Sequence, residues 1–377
     1  MSAQQETRRG SQAGTPDSDG RLLICNVGSS SLKINCYRVG DSTPETTSVL
    51  QGDAAALETA FQETVRSLSR VTAVVHRVVH AGLVEQELCR ITPALKTTIA
   101  HWLPLAPLHN RLMLDTVDLV TGKFPDALQY AAFDSGPYAR LPEVARVYAL
   151  PADLQSNWPL LRYGFHGLAH RSQWRQVATP EEPRVITVQL GGGCSVTAWR
   201  DGRAVDTTMG FSPADGLIMS TRSGELDPIL VLKLLGEDKY TAASLESLLQ
   251  RESGLKGLSG ISGDIRELLR DNTPRSRLAI DCFCYRVRKQ IGAFVFALGG
   301  VDAISFGGGI GENQPAIRQQ CLAGLEGLGI QLDADKNPVA AGLAAIHSRE
   351  SKVELFVAPV DEMAEMLEQY YQIPRNL

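Results

Sequence analysis

The chain offers no C-x-x-C pair, no cluster of lysines and arginines, and no bilayer-length apolar run free of glycine and charge. Each absence removes a class of function. Seven cysteines (25, 36, 89, 194, 282, 284 and 321) lie mostly in apolar strand or helix patterns. They read as reduced, buried residues of a cytosolic protein, not as a zinc site or a disulfide frame. A net charge of −5 without basic clustering argues against a nucleic-acid surface. The most membrane-like stretch, 291–311, is broken by Gly299, Gly300, Asp302 and three further glycines. A buried helix followed by a strand fits it better than a span of about 20 residues. Residues 1–20 are polar, lack the apolar stretch of a secretion signal, and are expected to form a disordered tail. With 377 residues and 44% hydrophobic content, the remainder suits two α/β domains of a soluble protein without membrane contact.

What the chain does have is small-residue turns set between strands. Leu22–Val27 reads as an apolar strand, Gly28–Ser31 as a turn, and Leu32–Tyr37 as a second strand with Lys33 at its start. Such a turn lets backbone amides and hydroxyls close on an anion, and a neighbouring lysine suits phosphate. A Walker loop would need a second glycine before the lysine and a helix after it, and neither is present. The pattern recurs at Arg184–Trp199, where Gly191–Ser195 separates two apolar strands. Two strand–turn–strand units suggest an internal duplication; chance likeness of two hairpins is the alternative.

A third glycine-rich stretch follows the buried strand Val301–Phe306. Gly307–Asn313 reads as a loop, with a helix from Pro315, a generic nucleotide cradle. Helical periodicity is clearest over 278–298, where Ile280, Phe283, Val287, Ile291, Phe294 and Leu298 share a face.

A series of short motifs then runs along the chain. It comprises Asn26–Lys33, His76–His80, Ala106–Asn110, Phe133–Asp134, Arg162–Gly167 and Met209–Pro213. It continues with Thr221–Arg222 ahead of Asp227–Pro228, then Gly263–Arg266, Gly309–Asn313 and Asp361–Glu362. In this order the motifs resemble the acetate kinase family, a branch of the superfamily of acetate and sugar kinases, actin and heat-shock chaperones. The resemblance implies two ribonuclease H-like (actin-like) lobes of α/β type with an active-site cleft between them. The N-terminal lobe would be 21–150, joined by a C-terminal helix at 365–377, and the nucleotide-binding C-terminal lobe 151–364. It further implies a cytoplasmic homodimer that moves the γ-phosphoryl of ATP to acetate, reversibly, giving ADP and acetyl phosphate with Mg2+ or Mn2+.

Both reactants of such a transfer are anions, so cationic clamps are needed near the transfer point. Arg77 lies in an apolar strand and must be paired or functional, since burying it alone is too costly. The resemblance gives it the acyl carboxylate; holding a strand-end carbonyl is the plainer role. Arg222 would stabilise the transferring phosphoryl, unless it is a solvated loop arginine. His166, flanked by glycines, would donate a hydrogen bond to the transition state, unless it is a satisfied core histidine. Asp134 would be the acid/base or orienting carboxylate, unless it merely forms a turn. The resemblance links Asn26 and Glu362 to magnesium, and His76, His80, His109 and His170 look like supporting residues. Val79, Leu108, Phe165 and Pro213 match the positions of a methyl pocket that favours a C2 acid.

For the nucleotide the resemblance implies Ser29, Ser31 and Lys33, then Gln189, Leu190, Gly191, Gly192 and Gly193. It adds Asp264, Ile265 and Arg266, and Gly309, Ile310, Gly311, Glu312 and Asn313. Arg266 could stack on adenine or hold a ribose or phosphate; an ion pair with Asp264 or Glu267 is the alternative. The small residues at 307–311 leave room for adenosine, which favours ATP over pyrophosphate. The second turn departs from the family pattern: Gln189 and Gly192 stand where a histidine and an asparagine are usual. Ser135–Tyr138 and Arg111 also differ. Propionate or another short-chain acid as acceptor, or a nucleotide-binding regulator with weakened catalysis, are the alternative functions.

Overall fold

Two six-stranded sheets organise the chain in a computed structural model that describes residues 20–28, 31–52, 54–84, 86–179 and 184–373. The expected tail at 1–20 lies, but for Gly20, outside the described residues, as do Ser29 and the last four residues. The first sheet contains β1 (Arg21–Val27), β2 (Ser31–Arg38), β3 (Thr46–Gln51), β4 (Val71–Val78), β5 (Leu88–Arg90) and β6 (Leu128–Phe133), in the order β3-β2-β1-β4-β6-β5. The second contains β7 (Arg184–Leu190), β8 (Cys194–Arg200), β9 (Arg203–Thr207), β10 (Ala303–Gly307), β11 (Ala344–Ala345) and β12 (Glu354–Val357), in the order β11-β12-β10-β7-β8-β9.

The two sheets repeat one plan. In each, an antiparallel meander (β1–β3, β7–β9) flanks two parallel strands (β4 and β6, β10 and β12), and a short antiparallel strand closes the edge. The two hairpins seen in the sequence therefore occupy the same place in two equivalent units. This is the two-lobed α/β fold that the motifs implied. Central strands β1 and β7 are buried along nearly their whole length, as helices on both faces require.

The helix Pro274–Leu298 starts where Thr273 caps the Ser276 amide and stops at Gly299, whose φ of 68° a side chain would disfavour. All six residues of its expected apolar face are buried. Two further helices tie the halves together. Glu362–Tyr371 follows the second sheet but buries Met363, Met366 and Leu367 with Leu22, Ile24 and Tyr37 of the first. Gly167–Val177 joins the same cluster through Leu168 and binds Glu365 through Arg175 at 2.6 Å. Its other side meets the second sheet, where Gln173 accepts from Ser305 at 3.1 Å.

One segment differs from expectation. Residues 308–313 form a helical turn, Gly308–Asn313, where a loop was expected. Gly308, at φ 77°, reverses the chain against the Leu190 carbonyl, which lies 2.6 Å from where a Cβ would sit. Glu312 Oε1 then accepts from the Gly308 and Val360 amides, which closes the turn. Arg318, 1% exposed, holds it from behind by donating to the carbonyls of Gly311, Glu312 and Asn337 and to Asn337 Oδ1. Burial without a carboxylate partner pushes its pKa down to about 10. Arg318→Met would leave three buried carbonyls unpaired and should cost about 3 kcal/mol. The expected result is a lower thermal midpoint with faster amide exchange at 309–313; an unchanged midpoint would remove Arg318 as the support of this turn.

Candidate active site

Three strand ends and one helix start converge on Arg77. Its Nε and Nη2 donate to the two oxygens of Asp134 at 3.0 and 2.7 Å, and its Nη1 donates to Asn26 Oδ1 and Glu362 Oε2, both at 3.0 Å. Asn26 Nδ2 in turn donates to Glu362 Oε2 at 2.7 Å. Asn26 lies in β1, Arg77 in β4, Asp134 just beyond β6, and Glu362 opens the last helix. Burial alone would lower the arginine's pKa, but the carboxylates of Asp134 and Glu362 outweigh it and hold it above its ordinary value. Among the described residues four of the five guanidinium N–H groups are used, and the fifth, on Nη2, has no acceptor.

Asp134 leads directly to the second group. Its carbonyl accepts from the Gly167 amide at 2.8 Å, and a Cβ at Gly167 would sit 2.2 Å from that oxygen, so only glycine fits. His166, in the left-handed region at φ 58°, turns the chain into the Gly167–Val177 helix. Its Nδ1 lies 2.8 Å from Ser195 Oγ. Its Nε2 faces Gly193, where a Cβ would lie 3.0 Å from Nε2 and 3.5 Å from Arg222 Nη1. Arg222 donates to the Pro213 carbonyl at 3.1 Å and meets Met219 Sδ at 3.6 Å. Among the described residues no carboxylate pairs with it. Burial lowers its pKa from the ordinary value, yet a guanidinium stays charged at neutral pH.

A cavity of about 450 Å³ begins at the two residues before Gly193, lined by Gly191, Gly192, the Gly263–Arg266 segment, Gly309, Ile310 and Asn313. Ser220 and Gln314 also line it, and sequence reasoning missed both. Ser220 is tied to the turn by its amide, which donates to the Gly192 carbonyl at 3.2 Å. Arg266 pairs with Asp264 (Nη2–Oδ2 2.6 Å), the ion pair weighed as its plainer role. Leu190 and Gly311 are buried supports of the cavity wall, and Glu312 closes the turn described above. Lys33, exposed on β2, and Ser31 are not among the residues that line the cavity.

The four positions that the resemblance links to a methyl pocket do not all share one environment. Val79 and Phe165 are buried in one apolar cluster with Trp102 and Tyr163. His80 stacks on Trp102 at 4.4 Å and meets Phe165 edge-on at 5.2 Å, making an aromatic wall that the motifs did not reveal. Pro213 is half-buried and reaches Arg222 through its carbonyl; the Leu108 side chain lies outside the described residues. Cys194, in the altered second turn, is a neutral thiol, since burial pushes its pKa up to about 12.

The profile of the acetokinase family matches residues 39–368. The acetate kinase of Acetivibrio thermocellus is 34% identical over 94% of this chain and all of its own length. That of Solibacter usitatus is 41% identical over 79% of this chain and 75% of its own. Among solved structures, the acetate kinase of Porphyromonas gingivalis superposes with a TM-score of 0.83 at 31% identity, covering 94% of this chain and 99% of that one. A propionate kinase from Francisella tularensis reaches 0.81 at 28%, covering 93% and 98%. With a family match across most of its length and relatives aligned end to end, the chain belongs to the acetokinase family.

Proposed function

We propose that the protein is an acetate kinase, reversibly transferring the γ-phosphoryl of ATP directly to an acetate oxygen. The observation that carries this reading is the charge of Arg222, which no carboxylate among the described residues pairs, set beside His166 and Gly193, the residue that follows the cavity-lining Gly191 and Gly192. In the forward direction a bond forms between the acetate oxygen and the γ-phosphorus while the bond to the β–γ bridging oxygen breaks. Negative charge spreads over the three equatorial oxygens, and Arg222 and His166 are the groups that meet it. The cavity volume suits a nucleoside, which supports ATP rather than pyrophosphate as donor.

Asp134 acts here as an orienting group, because both of its oxygens already accept from Arg77. The remaining Nη2 proton of Arg77 is available to the acetate carboxylate, with Val79, Phe165 and Pro213 around the methyl group. Glu362 Oε1 has no partner among the described residues, and no cluster of three metal-ligating side chains occurs among them. This sparse oxygen set fits magnesium, which binds mostly through phosphates and water. Glu362 and Asn26 would hold it, and the ion would neutralise charge on the phosphate oxygens. Seven free thiols fit a reducing cytoplasm.

We also infer that two copies pair through the helix Pro228–Leu235. Asp227 caps it, yet none of its residues is buried, and Ile229 and Leu232 are 57% and 62% exposed. A solvent-facing apolar helix of this kind marks an interaction surface.

Acyl phosphate trapped as hydroxamate tests the reaction, with acetate, propionate and butyrate each offered ATP or pyrophosphate. Acetate with ATP should give the most product and pyrophosphate none; no product from any pairing would overturn the kinase assignment. Arg222→Ala should lower kcat by about 10²-fold or more, and an unchanged kcat would take it out of the mechanism. Arg77→Ala should cost about 3–5 kcal/mol of stability by stranding Asp134, with Asp134→Ala in the same chain recovering part of the loss. Strict additivity of the two changes would deny the coupling. Light scattering should give a dimer that Ile229→Glu with Leu232→Glu converts to monomer; a monomeric wild type would refute the interface.

A further inference from the structure

Behind His166 runs a single row of buried polar side chains. Trp199 Nε1 lies 2.9 Å from Thr187 Oγ1, which lies 2.7 Å from His170 Nδ1. His170 Nε2 lies 2.8 Å from Ser195 Oγ, and that oxygen lies 2.8 Å from His166 Nδ1. Trp199, Thr187, His170 and Ser195 are all fully buried, so water does not supply alternative partners. The elements give this spacing naturally. Ser195 and Trp199 point to one face of β8, Thr187 projects from β7 beside them, and the two histidines are four residues apart at the start of the Gly167–Val177 helix.

The row has a direction, because one end can only donate. An indole N–H has no acceptor, so Thr187 Oγ1 must accept from Trp199. Among the described residues the Thr187 hydroxyl proton has one acceptor within reach, His170 Nδ1. Burial drives the pKa of His170 well below its ordinary value, with His166 adding to the effect, so the ring is neutral and carries one proton. With Nδ1 accepting, that proton sits on Nε2 and is donated to Ser195 Oγ. The Ser195 hydroxyl proton then turns to His166 Nδ1. In the opposite sense His170 Nδ1–H would meet Thr187, which already accepts from the indole, and the hydroxyl proton would be left without an acceptor.

We infer that Trp199, Thr187, His170 and Ser195 are positioning residues that fix His166 as its Nε2–H tautomer, presenting a neutral hydrogen-bond donor on the side it shares with Arg222. The Arg222 guanidinium beside Nε2 adds to this by opposing a positive charge on the imidazole. The benefit to phosphoryl transfer rests on the function proposed above; the tautomer itself does not. A donor already oriented before charge develops needs no proton transfer and no reorganisation at the moment of reaction. The role of the altered turn also changes: Ser195 in Gly191–Ser195 acts on the site through His166.

Long-range 1H–15N correlation spectra of the full chain labelled at its seven histidines test this directly. Loss of one ring pattern in His166→Gln and of another in His170→Gln assigns the two signals. Both rings should show the neutral Nε2–H pattern at neutral pH in the resting wild type. Thr187→Val, which cuts the row, should give mixed tautomers at His166 and lower kcat between roughly ten- and a hundredfold, short of losing the donor outright. Thr187→Ser should restore both. An Nδ1–H or doubly protonated His166 in the wild type would overturn the inference, as would a Thr187→Val spectrum identical to wild type. Because the spectra need no turnover, a correct tautomer in a protein that makes no acetyl phosphate would refute the proposed reaction and leave the tautomer standing.

Discussion

The bidentate pair between Arg77 and Asp134, extended to Glu362 and Asn26, is the interaction on which the site depends. It gathers the ends of β1 and β4, the residue after β6 and the first residue of the last helix around one guanidinium. Those residues are up to 336 positions apart in the chain. A buried ion pair of this kind contributes little net stability over an apolar replacement, since desolvation offsets most of the attraction. What it does is make one geometry acceptable: removing Arg77 strands two carboxylates, and removing Asp134 takes away the guanidinium's bidentate partner. The two carboxylates at this guanidinium are thereby held still and largely neutralised.

Charge is distributed unevenly across the site as a result. Arg77 faces two carboxylates, whereas Arg222 faces a carbonyl and a thioether. An anion approaching the cleft therefore finds its uncompensated positive charge at Arg222, next to the donor face of His166. The glycines at 167 and 193 permit this closeness, one by admitting the Asp134 carbonyl and the other by leaving space beside the imidazole and the guanidinium. The Gly167–Val177 helix carries the arrangement from one sheet to the other. It begins at His166, buries Leu168 in the first lobe and meets Thr187 and Ser305 of the second through His170 and Gln173.

Much of this was legible in the sequence, and the limits have physical causes. The duplicated hairpins announced the repeated sheet plan because a glycine turn between apolar strands is a local feature. The apolar face of Pro274–Leu298 was equally plain from its period. Arg77 stood out because a charge inside an apolar strand needs partners, but those partners lie 51, 57 and 285 residues away along the chain. Arg266 could not be assigned from its motif, and its nearest acid, Asp264, holds it in the resting structure. The short helix at 308–313 escaped notice because its closure relies on Glu312 and Val360 rather than on any capping pattern within the segment. His170 reads from the sequence only as a supporting residue and Trp199 only as the end of a strand, since a row of hydrogen bonds crossing two strands and a helix leaves no spacing signature.

On the proposed mechanism Arg222, not Arg77, supplies the positive charge that meets the transferring group. Inhibition by ADP, magnesium, acetate and aluminium fluoride together, a mimic of the planar phosphoryl group, reads that charge out. Wild type should be held far more tightly by the four components together than by ADP alone, and Arg222→Ala should lose that added affinity while still binding ADP. Equal trapping of the Arg222→Ala protein would show that the charge which meets the phosphoryl group comes from elsewhere.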